Sequence, residues 1–501
     1  MKRKLLFLLR CLIFALILLT ILSSLNRILE PKYYLKDRSW PATPVYRGFY
    51  EMEPDSVDVL ILGSSVSMNN LVPQKLYDDY GIRSYNLSCE QQNALVSYYW
   101  LKEALRWQTP KLVIFEPLFL QEMHPDYAVN SSTRLTTIPL LAMRWSSVKL
   151  EAIRDVCARD PAQHAMNYFF SNKLYHDRWS SLEISDFVYD ETLAPRLFGW
   201  APGKEEPSKQ SPVFRRDDGA ELYALRPDMV EYLGRMVELC RACGIRFVML
   251  KFPQRIINVE GIDRAYRQLA EEYGIDYYNF GEEELYQRLN ADLTRDRVDN
   301  HGNILGNLKN TALAGALLSE VYGLGPTEDA QYEKARGAFW KICGAQVLPG
   351  TEDLDEYLRQ LSQSDYVILM AVRDDAAGKM KSSTKALLRE LGLQTEWSRA
   401  AMFRHGYAAV IADGRILEKA APSIEDEALT VTGNFSHMQH LFSVTSAGYN
   451  NTGGPGCAIV IDGKDYAVNK RGLNIVVYDP ATSQLVDSVC FDIYSGGVCH
   501  R

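Results

Sequence analysis

The chain has 501 residues, 47% of them hydrophobic and 24% charged, with a formal net charge of −8. That length allows two or three domains with separate cores. The acidic balance offers no basic stripe for a nucleic-acid backbone, and nine cysteines in such a chain amount to neither a disulfide scaffold nor a zinc site.

The N-terminus departs from this average. After Met1-Lys2-Arg3-Lys4, the segment Leu5 to Leu25 is apolar except for Arg10, Thr20, Ser23 and Ser24. As a helix it makes one bilayer crossing. The leading basic residues predict a single-pass, N-in/C-out topology, with the globular domains outside the cytoplasm at the cell membrane. A retained anchor over residues 1–26 fits better than a cleaved signal peptide, because Ser23-Ser24-Leu25 makes a poor small-residue cleavage site. Residues 27–55, polar and proline-bearing, read as a tether.

From Val57 the pattern alternates between strand and helix. Val57–Leu62 is a short apolar run ending in Gly63-Ser64-Ser65, a buried strand and its turn. Pro73–Tyr80 reads as helix, Ile82–Leu87 as extended, Gln92–Trp107 as a long amphipathic helix and Lys111–Phe115 as a second buried strand. Residues 124–225 break the rhythm with Arg-, Trp-, Pro- and Ser-rich sequence, an insertion of the kind that elaborates the carboxyl edge of a sheet. Strands at Arg246–Lys251 and Ile275–Asn279 follow, with a helix near Gly261–Glu272 between them and a last helix at about Leu308–Tyr322. The alternation predicts a doubly wound, three-layer α/β domain over residues 56–325, with a parallel sheet of flavodoxin-like type. Cys240 and Cys243 form a CxxC inside the helical pattern Pro227–Cys243, which reads as incidental.

Past Gly325-Pro326 the character changes. Residues 340–501 hold strands at Tyr366–Val372, Ala408–Ile411, Ala458–Ile461, Leu473–Tyr478 and Val486–Phe491 and a helix at Ser383–Leu391, so a separate β-rich α+β domain is expected. Cys490–Cys499, closing a short terminal loop outside the cytoplasm, is the expected disulfide.

Ligands of doubly wound sheets bind beyond the carboxyl ends of the strands, where Ser65 falls. A serine nucleophile needs a base, usually a histidine oriented by a carboxylate. His301, in Arg297-Val298-Asp299-Asn300-His301-Gly302-Asn303, precedes the last helix and so belongs at the same edge. Asp299 or Asp296 is the acid candidate.

Asp58-Val59-Leu60-Ile61-Leu62-Gly63-Ser64-Ser65, Tyr85-Asn86-Leu87-Ser88 with Gln91, and Lys111–Glu116 together resemble the SGNH (GDSL-like) hydrolase superfamily. The likeness is nearest to its bacterial extracytoplasmic branch, around the proteins of teichoic-acid D-alanylation and alginate O-acetylation. It covers roughly residues 55–322 and takes in Tyr175-His176-Asp177-Arg178-Trp179 and Lys251-Phe252-Pro253. The resemblance implies Ser65 as nucleophile and His301 as base. The position three residues before His301 is Val298, so the acid is offset to Asp299 or Asp296. Glu116-Pro117 stands where a Gly-x-Asn is expected, which leaves the side-chain amides of Gln91 and Asn86, with the Ser65 N–H, as oxyanion candidates.

Arg471–Asp479 with Phe491–Tyr494, and Val367–Ala376 with Leu387–Gly392, look like the interleukin-like EMT-inducer domain, also the stem domain of a protein O-mannose N-acetylglucosaminyltransferase. The two halves occur in reversed order, which implies a circular permutation. The stem domain binds a β-linked sugar, and the matching positions are Asp374, Arg404 and Arg471. Taken together, the resemblances imply a serine esterase or O-acyltransferase acting on a cell-surface polysaccharide, with no metal or cofactor and with a membrane-embedded acyltransferase as a possible partner. A catalytically disabled scaffold that presents glycan is the alternative.

Overall fold

The computed structural model describes residues 2–30, 42–121, 133–188, 197–202, 211–213, 224–257, 259–298, 301–424, 428–449 and 456–501. The chain divides into two units, Met1–Ala335 and Arg336–Arg501. It opens with a continuous helix, Lys2–Leu29, long and apolar enough to cross a membrane.

The first unit is built on a parallel sheet of β1 (Val59–Leu62), β2 (Ser84–Asn86), β3 (Leu112–Phe115), β4 (Arg246–Lys251) and β5 (Asp276–Asn279), in the order β2-β1-β3-β4-β5. Because strand side chains alternate, each strand feeds two cores. Leu60, Leu62, Val113, Phe115, Phe247 and Met249 face one layer of helices, which includes Ala94–Ala104 and Pro227–Ala242. Val59, Ile61, Leu112, Ile114, Val248 and Leu250 face the other, where Pro73–Tyr80 and Ile304–Tyr322 lie. This is the expected three-layer α/β arrangement. The strand order reverses between β1 and β3, the point at which such sheets open a crevice at their carboxyl ends.

The segment read as a tether is partly core. Ala42–Phe49 is a helix, and Val45, Tyr46, Phe49 and Met52 are buried. Tyr46 stacks on Trp100 at 4.4 Å, and Tyr85 donates to the Val45 carbonyl at 2.6 Å. Within the insertion, Ser147–Arg159 packs against the helix Ala94–Ala104, while Trp200 and Ala201 bond to the helix after β1 through Asn69. Val213 bridges to Ile256 after β4, and Leu225 to Gln121 after β3, so these parts of the insertion also reach the sheet's carboxyl edge.

A short hairpin of β6 (Arg297–Val298) and β7 (His301–Gly302) precedes the helix Ile304–Tyr322. Asn303 caps that helix by accepting the Gly306 N–H and donates to the Arg295 carbonyl at 2.6 Å. The helix is then sewn to the chain after β1. Asn310 donates to Asn70 Oδ1 at 2.7 Å, Thr311 accepts the Val72 N–H at 3.0 Å, and Asn70 donates to the Val66 carbonyl at 2.8 Å.

The second unit carries β8 (Val367–Asp374), β9 (Tyr407–Ala412), β10 (Arg415–Ala420), β11 (Leu429–Phe435), β12 (His440–Gly448), β13 (Ala458–Ile461), β14 (Lys464–Asp465), β15 (Gly472–Asp479), β16 (Gln484–Asp492) and β17 (Val498–His500). They form one curled sheet along β14-β13-β12-β8-β15-β16-β17, with β9 beside β8 and β10, and β11 beside β12. One face of β8 (Ile368, Met370, Val372) packs under the helices Leu354–Ser362 and Ser382–Glu390; the other (Val367, Leu369, Ala371) closes on β12 and β13. The strands β10, β11, β12, β14 and β17 go beyond the sequence expectation. The expected Cys490–Cys499 disulfide does not form, and both thiols are free. Cys499 stands opposite Phe491, on the face that Cys490 turns away from, so the two sulfurs point to opposite sides of the sheet. Cys240 and Cys243 are also free, the first buried and the second exposed.

Replacing Asn70 by Ala strands the buried Asn310 amide. It should cost about 1–3 kcal/mol, read as a lower denaturation midpoint for the full chain.

Candidate active site

The strand β1 leaves the sheet at Gly63, whose φ of 151° and surroundings exclude other residues: a Cβ there would lie 2.6 Å from Ser67 Oγ and 2.7 Å from Glu116 Cβ. Ser64 then caps the helix Ser65–Asn70, its hydroxyl accepting the Val66 N–H at 3.2 Å. Ser65 is therefore the first residue of a helix, and its N–H has no acceptor within that helix.

The 2.9 Å contact between Ser65 Oγ and His301 Nε2 brings the predicted pair together. With the ring protonated at Nδ1, Nε2 accepts the serine proton, the polarity that nucleophilic attack requires. The hairpin seats the ring because Gly302 is packed tightly: a Cβ there would come within 2.4 Å of Asn307 Oδ1 and 2.6 Å of Asn70 Oδ1.

Of the acid candidates, Asp299 lies outside the described residues. Asp296 is described: it is buried, with Oδ2 accepting from Lys309 Nζ at 2.5 Å and from the Asp292 N–H at 2.8 Å. Its Oδ1 is also buried and makes no hydrogen bond among the described residues. Asn86 is likewise spent. Its two amide hydrogens go to the Ser67 and Leu71 carbonyls at 2.9 and 3.0 Å, and its Oδ1 accepts the Ser88 N–H at 3.2 Å, so no donor is left for an oxyanion. Gln91 lies in the turn after β2 with a φ of 51° and keeps its candidacy.

Glu116, directly after β3 and in the place where a Gly-x-Asn is expected, is a structural clamp in the fold. Its Oε2 accepts both the Ser64 N–H (3.1 Å) and the Ser64 hydroxyl (2.5 Å), and Oε1 accepts the Leu118 N–H (2.7 Å). Burial raises its pKa above the ordinary glutamate range, against the opposing pull of these hydrogen bonds. The pairing of Leu62 with Phe115 puts Ser64 and Glu116 at the same level of the sheet.

A second constellation lies in the C-terminal unit. Asp374 ends β8, and Arg404 precedes β9; both adopt positive φ, 60° and 65°. Arg404 Nε lies 3.7 Å from Asp374 Oδ1, and its guanidinium sits 3.8 Å from the Tyr449 ring centroid. Asp375 fixes this turn by accepting the Arg404 N–H at 3.3 Å and the Ala377 N–H at 3.0 Å. Arg471, next to the start of β15, donates to Asp492 at 2.7 Å and to Ser495 at 2.7 Å, with its guanidinium 5.1 Å from the Tyr494 ring centroid. The three predicted residues share one field. Burial raises the pKa of Asp374; Arg404 and Arg471 pull it down, and Asp375 and Asp492 push it up. Asp374 Oδ1 is shielded from solvent and makes no hydrogen bond among the described residues.

Tyr449, Tyr494, Asp492 and the Ser64–Glu116 pair were not singled out by sequence reasoning. Of these, only the pattern Gly-Ser-Ser, with its first serine able to cap a helix, left a readable trace. Compared with known proteins, the chain matches no family model and no curated protein.

Substituting Gln for Glu116 turns an NH2 group toward one of the backbone donors it now accepts. The expected cost is about 1–3 kcal/mol, and an unchanged denaturation midpoint would remove the clamp.

Proposed function

We propose that the protein is a membrane-anchored, extracytoplasmic serine esterase or O-acyltransferase of SGNH type that acts on a cell-surface polysaccharide. The observation that carries this is the 2.9 Å hydrogen bond between Ser65 and His301 at the carboxyl edge of the parallel sheet. In the proposed reaction Ser65 Oγ attacks the acyl carbonyl as His301 Nε2 takes its proton. Collapse of the tetrahedral intermediate breaks the bond to the donor oxygen, which leaves with the proton from His301. Water or a sugar hydroxyl, deprotonated in turn by His301, then attacks the acyl-serine and releases Ser65. Asp299 is assigned to orient His301, and the Ser65 N–H with the Gln91 amide to receive the oxyanion. A leading apolar helix supports the anchor, with the domains outside and a membrane-embedded acyltransferase as the natural donor of acyl groups.

The C-terminal unit is assigned to hold the glycan, in the manner of the interleukin-like EMT-inducer domains. Support comes from the meeting of Asp374, Arg404 and Arg471 beside two tyrosine rings: charged donors and an under-used acceptor for hydroxyls, with flat faces for sugar rings.

A disabled scaffold is the second reading, favoured by the commitment of Asn86 to backbone carbonyls and by the glutamate beside Ser64. A fluorophosphonate probe decides between them. It should label the wild-type protein and fail on Ser65→Ala; no labelling where a related esterase reacts would leave the scaffold. Glycan binding should fall at least about tenfold in Arg404→Ala on an array, as expected for a charged hydrogen-bonding partner. Because the Asp374 pKa is raised, acidification should weaken binding at a higher pH than an ordinary aspartate would allow, and Asp374→Asn should remove that dependence.

A further inference from the structure

The membrane-spanning reading of Leu5–Leu25 gives the first unit a fixed level. At 1.5 Å per residue that run is about 30 Å long, the thickness of the hydrocarbon core, so Asn26–Leu29 stand at the outer headgroups. Three short elements of the insertion touch this end of the helix: Asn172–Tyr175, His176–Ser181 and Ile184–Phe187. They are fastened there by polar contacts. The Asn172 N–H donates to Asn26 Oδ1 at 2.9 Å, and Arg178 donates to the Leu29 carbonyl at 2.6 Å while pairing with Asp186 at 2.9 Å. A guanidinium on a terminal carbonyl satisfies a group the helix itself leaves open and complements its dipole.

On the inner side Tyr175 is buried in the core, with Leu174 and Leu182 packed against it. Four large apolar side chains are exposed in the same stretch, Trp179 at 72%, Ile184 at 84%, Phe187 at 62% and Val188 at 69%, between the exposed polar residues Lys173, His176, Asp177 and Glu183. Four large apolar side chains on one short stretch, beyond those the core uses, are costly in water.

Resting on the span reading, the geometry points to a membrane-surface foot: Trp179, Ile184, Phe187 and Val188 enter the headgroup boundary of the outer leaflet beside the spanning helix. Lipid is the occupant these observations favour, because the elements are fastened to the residues at which the span leaves the bilayer. Tryptophan is also the side chain suited to that boundary, with an apolar body and a polar N–H. With the spanning helix, the foot makes a second point of attachment and fixes the tilt of the first unit on the membrane.

The test uses the full chain in vesicles of phosphatidylcholine and phosphatidylglycerol with bromine placed near the headgroup end of the acyl chains. The emission of Trp179 is the difference between wild type and Trp179→Phe. Bromolipid should quench it at least about twofold, as for an interfacial indole. Ile184→Ser with Phe187→Ser, at exposed positions that leave the core intact, should weaken that quenching. An alkaline carbonate wash of the same vesicles reports the span separately. If the chain stays in the vesicles and the Trp179 component is unquenched, the foot is overturned while the span stands, including the case of a face reserved for a protein partner. If the chain washes off, the span and the foot fall together.

Discussion

A serine and a histidine separated by 236 positions meet at 2.9 Å, and what holds them is a buried seam of amides and hydroxyls between two helices. Asn70 sits at its centre. It donates to Val66 in its own helix, accepts from Asn310 in the last helix, and its carbonyl takes the Thr311 hydroxyl at 3.1 Å. Polar groups with so little exposure are costly unless paired, and the pairs exist in only one register of one helix against the other. Apolar packing on that face of the sheet would tolerate some sliding; the seam does not. Gly302 extends the constraint, since its missing side chain lets the hairpin close on Asn70 and Asn307. The position of His301 thus follows from this buried polar seam.

Ser65 has a comparable constraint on its other side. Ser64 and Glu116 lock the turn between β1 and its helix, leaving Ser65 no freedom to retreat from His301. The price is a buried carboxyl close to where negative charge would develop. Three donors spread its charge, and burial favours its proton, so the electrostatic conflict is smaller than the sequence suggests. An uncommitted carboxylate in that place would oppose an oxyanion; one saturated by Ser64 and Leu118 acts mainly as a brace.

These relationships explain which features were legible beforehand. Strands β1, β3 and β4 show as unbroken apolar runs because both of their faces are buried. The alternation of strand and helix then fixes where Ser65 must fall. By contrast, β11 and β12 are rich in Thr, Ser, Gly and Asn, with one side toward solvent, and present no unbroken apolar run. The helix Ala42–Phe49 was hidden among polar and proline residues, although Tyr46 and Phe49 lie deep in the aromatic core. Asn86 misled for a related reason: an amide near a catalytic strand reads as a donor to substrate, and only coordinates reveal that its hydrogens are taken by Ser67 and Leu71. The partners of a buried polar residue are set by tertiary structure, which residue type does not encode.

The C-terminal unit poses the complementary case, in which residues distant in the sequence lie near the ends of paired strands. Asp374, Arg404 and Arg471 come from three segments spread along the unit, and a permuted order of its halves would not disturb them. What joins them is local: β8 pairs with β12 at Gly448↔Asp374 and with β15 at Gly472↔Arg373, so the ends of three strands gather at one edge. Arg471 directly precedes Gly472, and a Cβ on Gly448 would lie 2.7 Å from the Arg404 carbonyl, which ties Arg404 to the same place. Non-glycine residues in the left-handed region pay about 1–2 kcal/mol each, and two of them, Asp374 and Arg404, stand side by side. Folding alone gains little from aiming a shielded aspartate oxygen and a half-exposed guanidinium at the same spot. Strain of this kind is held in place by the buried Asp375, which accepts the Arg404 N–H.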